Sequence, residues 1–220
     1  MRKIEKRPII HRWMIMVLTF MSGYVNVEGI IECGVTLSHY SGNFSNIAIG
    51  SILGDLKRVQ LLASCVILFF TGSLLIGMVN QREFRTPRNR YKWILVVQGL
   101  VLIIVYNRFN NILPYLLAFY MGIQNGAFAM YKGIRVRFTH MTGYLTEAAL
   151  ELAAILRRKA SSERFIFYLF SIFSFVCGGI IAAIIEIYNH DILIPLSSFL
   201  YLIVAYGLHR TTRIGYESQI

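Results

Sequence analysis

The chain has 220 residues, 56% of them hydrophobic and only 15% charged, with a mean hydropathy of +0.57. A soluble domain of this size needs far more polar surface, so the composition excludes one and points to a polytopic helical membrane protein. Lys and Arg exceed Asp and Glu by 11; the basic residues flank apolar runs, so membrane topology accounts for them without nucleic acid.

Residues 1–12 are basic (Arg2, Lys3, Lys6, Arg7, Arg12), and an apolar run begins at Trp13. No small-x-small cleavage site follows, which argues against a signal peptide. The run is read as a first spanning helix over about 13–32, ending with Glu28 and Glu32 one turn apart on one face. Residues 33–43 are a break containing Gly, Ser and Thr. The apolar stretch 44–54 is too short to span and reads as a half-helix. An uncharged second span over 59–80 leads to a basic loop over 81–92, a short third span over 93–106 and a turn over 107–111. The fourth span, about 112–131, carries Pro114 in its first turn, where the missing N–H costs nothing. Residues 132–140 are basic and alternating. The stretch 144–159 reads as an amphipathic helix, with Leu145, Ala148, Ala149, Leu152 and Leu156 on one side and Glu147, Glu151 and Arg158 on the other. A fifth span over 165–185, a turn at Asn189-His190-Asp191 and a sixth span over 192–208 complete the chain. Cys33, Cys65 and Cys177 lie in or beside apolar segments without metal-type spacing and read as packing residues.

An internal repeat organises these elements. Ser38-His39-Tyr40-Ser41-Gly42-Asn43 is matched by Thr139-His140-Met141-Thr142-Gly143. Phe20/Phe119, Gly23/Gly122, Asn26/Asn125 and Gly34/Gly133 pair at an offset of 99, and His39/His140, Ser41/Thr142, Gly42/Gly143 and Ala48/Ala149 at 101. The 19 Lys and Arg of the N-tail, the 81–92 loop, the 132–164 region and the C-tail stand against 3 in segments 32–58, 107–111 and 189–191, which places both termini in the cytoplasm. The expected fold is all-α: one membrane domain over 1–220, with about six transmembrane helices as two three-helix repeats, about 12–107 and 110–209. An odd number of spans per repeat makes the two inverted, an architecture of secondary transporters whose site lies near the bilayer midplane.

The run Gly23-Tyr24-Val25-Asn26 with Ser38-His39-Tyr40-Ser41-Gly42-Asn43, followed by Gly122-Ile123-Gln124-Asn125 with Thr139-His140-Met141-Thr142-Gly143, resembles the YoaK-type family of small bacterial membrane proteins, a domain of unknown function. The resemblance covers roughly 12–210. It implies a bacterial cytoplasmic-membrane protein of about six spans and supplies no substrate. That family usually carries Asp where this chain has Asn26, so a proton-carrying role for that acid does not transfer unless Glu28 has taken it over.

The candidate substrate-binding residues are His39, Ser41, Gly42, Asn43, His140, Thr142, Gly143, Asn26, Gln124, Asn125 and Glu28. A histidine beside a helix break either binds a solute and titrates near neutrality, or ties down the broken backbone. Two histidines without an evident third ligand do not make a metal site. Ser41-Gly42 and Thr142-Gly143, at the start of new helices, either cap free N–H groups or leave them for an anion. The amides of Asn26, Gln124 and Asn125 either face a polar pathway or join helices. Glu28 is an acid within an apolar span, where a functional role is the default, although it falls near the end of that span.

No nucleotide-binding loop, nucleic-acid module or Ser/His/Asp motif is present, and neither an enzyme nor a cofactor is expected. The partners expected are membrane lipids and a small anionic or polar solute, with a homo-oligomer compatible. A transporter requires a polar cavity at the repeat interface containing His39 and His140; a non-transporting scaffold, assembly or lipid-interacting protein requires that interface to be dry. An intramembrane enzyme, the last of the three readings, requires a nucleophile or metal beside an acid.

Overall fold

The computed structural model describes residues 12–79, 88–108, 110–127, 129–131, 134–159 and 161–217. Helices α1 (Arg12–Cys33), α2 (Tyr40–Leu53), α3 (Leu56–Val79) and α4 (Arg88–Arg108) are followed by α5 (Leu113–Gly126), a small antiparallel hairpin of β1 (Ala129–Tyr131) and β2 (Ile134–Val136), and helices α6 (Met141–Leu156), α7 (Glu163–Asn189) and α8 (Leu193–Glu217). Most of the basic N-tail, most of the 81–92 loop and Gly133 lie outside the described residues.

Among the described residues the protein is nearly all-helical, and three stretches are long and apolar enough to cross a membrane: Arg12–Cys33, Leu56–Met78 and Glu163–Arg210, the last comprising α7 and α8. Lys92–Tyr106 is a shorter apolar helix. Each of the six expected spans is represented by a helix, and the two short helices α2 and α6 bring the number among the described residues to eight. The fourth expected span, α5, stops at Gly126, earlier than expected, because the alternating residues beyond it pair as a hairpin, Ala129 with Val136 and Met130 with Arg135.

Packing exchanges helices between the two halves. The principal contacts are α1 on α7, α3 on α5 and α4 on α8. Along α1 and α7 the contacts advance in step, Met16 meeting Ser174 and Val27 meeting Gly179, so the two run parallel. The same holds for α3 and α5, where Cys65 meets Pro114 and Ser73 meets Gly122. Each of the four Phe-x-x-Gly sequences of the chain lies at one of these crossings. A side chain on Gly23 would strike the Phe175 carbonyl, and one on Gly178 the Phe20 carbonyl; Gly122 meets the Phe69 carbonyl, and Gly72 that of Phe119. Backbones approach this closely only where no Cβ intervenes. Ser174 Oγ donates to the Met16 carbonyl at 2.7 Å and Ser73 Oγ to the Gly122 carbonyl at 2.8 Å, which adds a hydrogen bond at each crossing.

α1 and α5 are the most enclosed helices. α2 leans on α3, and α6 on α7. α6 is seated by Tyr144 and Ala148. Of the apolar side, Ala148 packs inward, while Leu145 is 64% and Leu156 77% exposed, a surface suited to lipid. The motif glycines do not make the sharp turns. Gly42 and Gly143 lie within the first turns of α2 and α6, whereas positive φ occurs at Gly34 (66°), Gly54 (78°) and Arg158 (58°), which follow the ends of α1, α2 and α6.

Gly23→Val and Gly122→Val are expected to destabilise the protein by about 1–3 kcal/mol or more, because the obstacle is backbone that cannot yield. Gly42→Val, with open space around its Cβ position, is expected to stay within about 0.5 kcal/mol of the parent. Thermal denaturation of the three variants in detergent checks both expectations.

Candidate functional site: two tied helix breaks

The first break runs from Gly34 to His39 and is held by two side chains. Asn26, buried in α1, accepts three hydrogen bonds on Oδ1: from the Leu37 N–H (3.1 Å), the Ser38 N–H (3.0 Å) and Ser38 Oγ (2.7 Å). Asn43, in the first turn of α2, accepts from Thr36 Oγ1 at 2.8 Å and donates Nδ2–H to the Thr36 carbonyl at 2.7 Å. An unwound segment inside a bundle has no ladder partners, and these amides supply them.

The second break is held at equivalent positions by different chemistry. Asn125 of α5 accepts from Thr139 Oγ1 at 2.8 Å, as Asn26 does from Ser38. Tyr144, in the first turn of α6, accepts from the Arg137 N–H at 3.0 Å, spanning the same seven residues as the Asn43–Thr36 pair. Burial pushes the Tyr144 phenol above its ordinary range, so it accepts as a neutral hydroxyl. Its ring also packs on Tyr168 (5.4 Å between centroids) and Phe167 (6.4 Å) of α7.

His39 and His140 occupy the N-cap positions of α2 and α6, and neither makes a side-chain cap. Of the two readings of Ser41 and Thr142, capping is not observed: each is exposed as the second residue of its helix. His39 Nδ1 lies 2.7 Å from Ser38 Oγ. That hydroxyl spends its proton on Asn26, so Nδ1 must be the donor and Nε2 is left as the acceptor of the neutral ring. The His39 ring stands edge-on to Phe175, centroids 5.7 Å apart, and the adjacent Tyr40 lies on Phe69 at 4.3 Å. The first break thus rests against both glycine crossings. His140 sits over Gly143, whose missing side chain leaves room for the imidazole, and edge-on to Tyr144 at 6.5 Å.

The chain belongs to the DUF1275 family. The family described as "Protein of unknown function (DUF1275)" matches residues 14–207. No curated protein and no solved structure matches the chain.

In this DUF1275 chain the remaining candidates lie apart from the breaks. Gln124 centres a buried network, donating Nε2–H to Tyr201 Oη at 2.6 Å, with Gln98 Oε1 and Ser22 Oγ each at 3.4 Å. It joins α1, α4, α5 and α8 and contacts neither histidine. Glu28, fully buried, faces Ser197 of α8 at 3.2 Å. Among the described residues, Glu32, Glu186 and His190 form the one group of three metal-type side chains, with ligand atoms within 4.8 Å of one another; neither His39 nor His140 belongs to it. All three cysteines are free.

Sequence reasoning passed over Thr36, Arg137 and Tyr144 as ties, and Gln98 and Tyr201 as network partners. The first three carried a signal, since Thr36/Arg137 and Asn43/Tyr144 also pair at an offset of 101. Their residue types differ, which hid the equivalence.

Because every contact of Asn26 uses its carbonyl oxygen, Asn26→Asp is expected to keep the break and melt near the parent. Asn26→Leu leaves two buried N–H groups without an acceptor and is expected to cost about 1–3 kcal/mol. Denaturation of both variants in detergent separates a tie from a residue whose amide nitrogen matters.

Proposed function

We propose that this protein is a small-solute secondary transporter of the bacterial cytoplasmic membrane, made of two inverted halves, α1–α4 and α5–α8, with its site between the two helix breaks. The observation that carries this reading is the pair of equivalently tied breaks, each followed by a histidine at the start of a short helix. The exchange of α1 and α5 between the halves is the packing expected of inverted repeats around a shared axis. The uncapped first turns of α2 and α6 direct N–H groups and positive dipole ends at whatever lies before them, and His39, Ser41, Asn43, His140, Thr142 and Gly143 stand at those turns. Such a place favours an anionic or carbonyl-bearing solute. No step of bond-making chemistry is part of this reading.

One observation favours a second reading, that of a non-transporting scaffold or lipid-interacting protein: Asn26 and Asn125 are engaged in tying their own loops. Uptake into proteoliposomes distinguishes the two. With a panel of small carboxylates and inorganic phosphate, a transporter is expected to accumulate at least one, with a loss of tenfold or more, about 1.4 kcal/mol, in His39→Ala and His140→Ala. Uptake of none, with both variants stable, favours the scaffold.

The orientation rests on the distribution of basic residues. A cysteine introduced at Asn110 is expected to react with an impermeant maleimide from outside intact cells, and one introduced at Asn89 only after permeabilisation. The reverse pattern would invert the topology.

A further inference from the structure

Glu28 holds an incompletely partnered carboxyl in the interior of the bundle. It is fully buried, its Oε1 lies 3.2 Å from Ser197 Oγ, and its Oε2 has no hydrogen-bond partner among the described residues. Ser197 has one hydroxyl proton, and the nearer acceptor is the Ile194 carbonyl at 2.8 Å. With that proton spent on the carbonyl, Ser197 and Glu28 form a hydrogen bond only if the carboxyl is the donor. The geometry is that of a protonated acid; an ionised one here would be a fully buried charge with no ion pair among the described residues.

A row of proton-carrying groups leads outward from Glu28. Glu32 follows one turn later on the same face of α1. Its Oε1, a buried atom without a hydrogen bond, lies 3.5 Å from His190 Nε2. His190 Nδ1 is 2.6 Å from Glu186 Oε2, and the His190 side chain is 51% exposed. Both ring nitrogens face carboxylates, the setting of an imidazolium that donates on both sides. The other titratable groups facing the row are Tyr24 and Cys33 on α1, Tyr106 on α4, Glu186 on α7 and Asp191 at the α7–α8 turn. None of these is a lysine or arginine.

We propose that Glu28 is a proton-binding site, loaded from the end of the bundle that holds the α7–α8 turn through His190 and Glu32. The proton on His190 Nε2 passes to Glu32 and His190 is reprotonated from water; Glu32 then passes its proton to Glu28, and release reverses these steps. No oxidant, metal or other co-reactant is needed. Losing the proton places an unpaired charge against Ser197, so the charge state of Glu28 is coupled to the seating of α8 on α1. This inference does not depend on the transport reading, because a non-transporting protein can hold the same proton.

Infrared spectroscopy of the full chain in lipid nanodiscs, prepared with isotope-labelled glutamate, tests it. At neutral pH the parent is expected to show the carbonyl band of a protonated glutamic acid, absent in Glu28→Gln. On transfer to heavy water the band shifts as the proton exchanges; Glu32→Gln and His190→Ala are expected to keep the band but slow its shift by about a hundredfold. The band is read on the parent, so poor folding of one variant leaves the test intact. Absence of a protonated glutamate band at neutral pH overturns the proposal. Equal exchange rates in the parent and both variants overturn the route. Stoichiometric binding of added Zn²⁺ that abolishes the band in the parent, and is lost in Glu28→Gln, overturns the proton assignment and makes Glu28 a metal ligand.

Discussion

Two helix pairs, α1 with α7 and α3 with α5, meet backbone to backbone, and the remaining architecture follows from that contact. In a bilayer the lipid tails are as apolar as leucine, so helices gain little from hiding hydrophobic side chains against each other. What holds them is close packing, and the closest packing needs glycine. At each crossing a glycine of one helix receives the carbonyl of a phenylalanine on the other, and the exchange is reciprocal. Because each pair takes one helix from each half of the chain, neither half closes on its own. α1 and α5 are drawn into the interior, and α2 and α6 remain at the periphery.

That arrangement makes the helix breaks tolerable. A broken helix exposes N–H and carbonyl groups that lipid cannot satisfy. Here the helix before each break supplies an asparagine, the helix after it supplies a second side chain, and the segment between is bonded at both ends. The two halves reach the same geometry with different residues: Thr36 and Asn43 bond through side chains in one, while the Arg137 backbone bonds Tyr144 in the other. What is held in common is the position of the tie and the histidine at the start of the next helix. That histidine makes no cap, so the first turn keeps polar groups that a structural cap would have consumed.

Much of this was legible in the amino-acid order. The helix positions followed from apolar runs of sufficient length, and the breaks from Ser, Thr and Gly between them. The equivalence of Asn26 with Asn125 and of His39 with His140 followed from their constant offsets. The reading went wrong where local sequence has two structural outcomes. The apolar residues of α6 stand on one side in the sequence, yet they divide in the structure: Ala148 packs inward beside Tyr144, and Leu145 and Leu156 are exposed. Gly42 and Gly143 look like turn residues, but the chain reverses at Gly34 and Gly54, and the two motif glycines continue their helices.

By itself the sequence determined the class of fold, the order of its helices and the twofold internal likeness, because these depend on local composition and spacing along one chain. Only the tertiary structure decided which helix packs on which. The Phe-x-x-Gly of α3 pairs with that of α5, and that of α1 with that of α7, although Phe69 and Phe175 stand at an offset of 106 and escape the register of the other repeats. It also decided that Gln124 and Glu28 face different helices from Asn26 and Asn125. Residues one or two positions apart on a helix diverge by about 100° per residue, and which of those directions meets a histidine, a glutamine or a serine is set by the neighbouring helix.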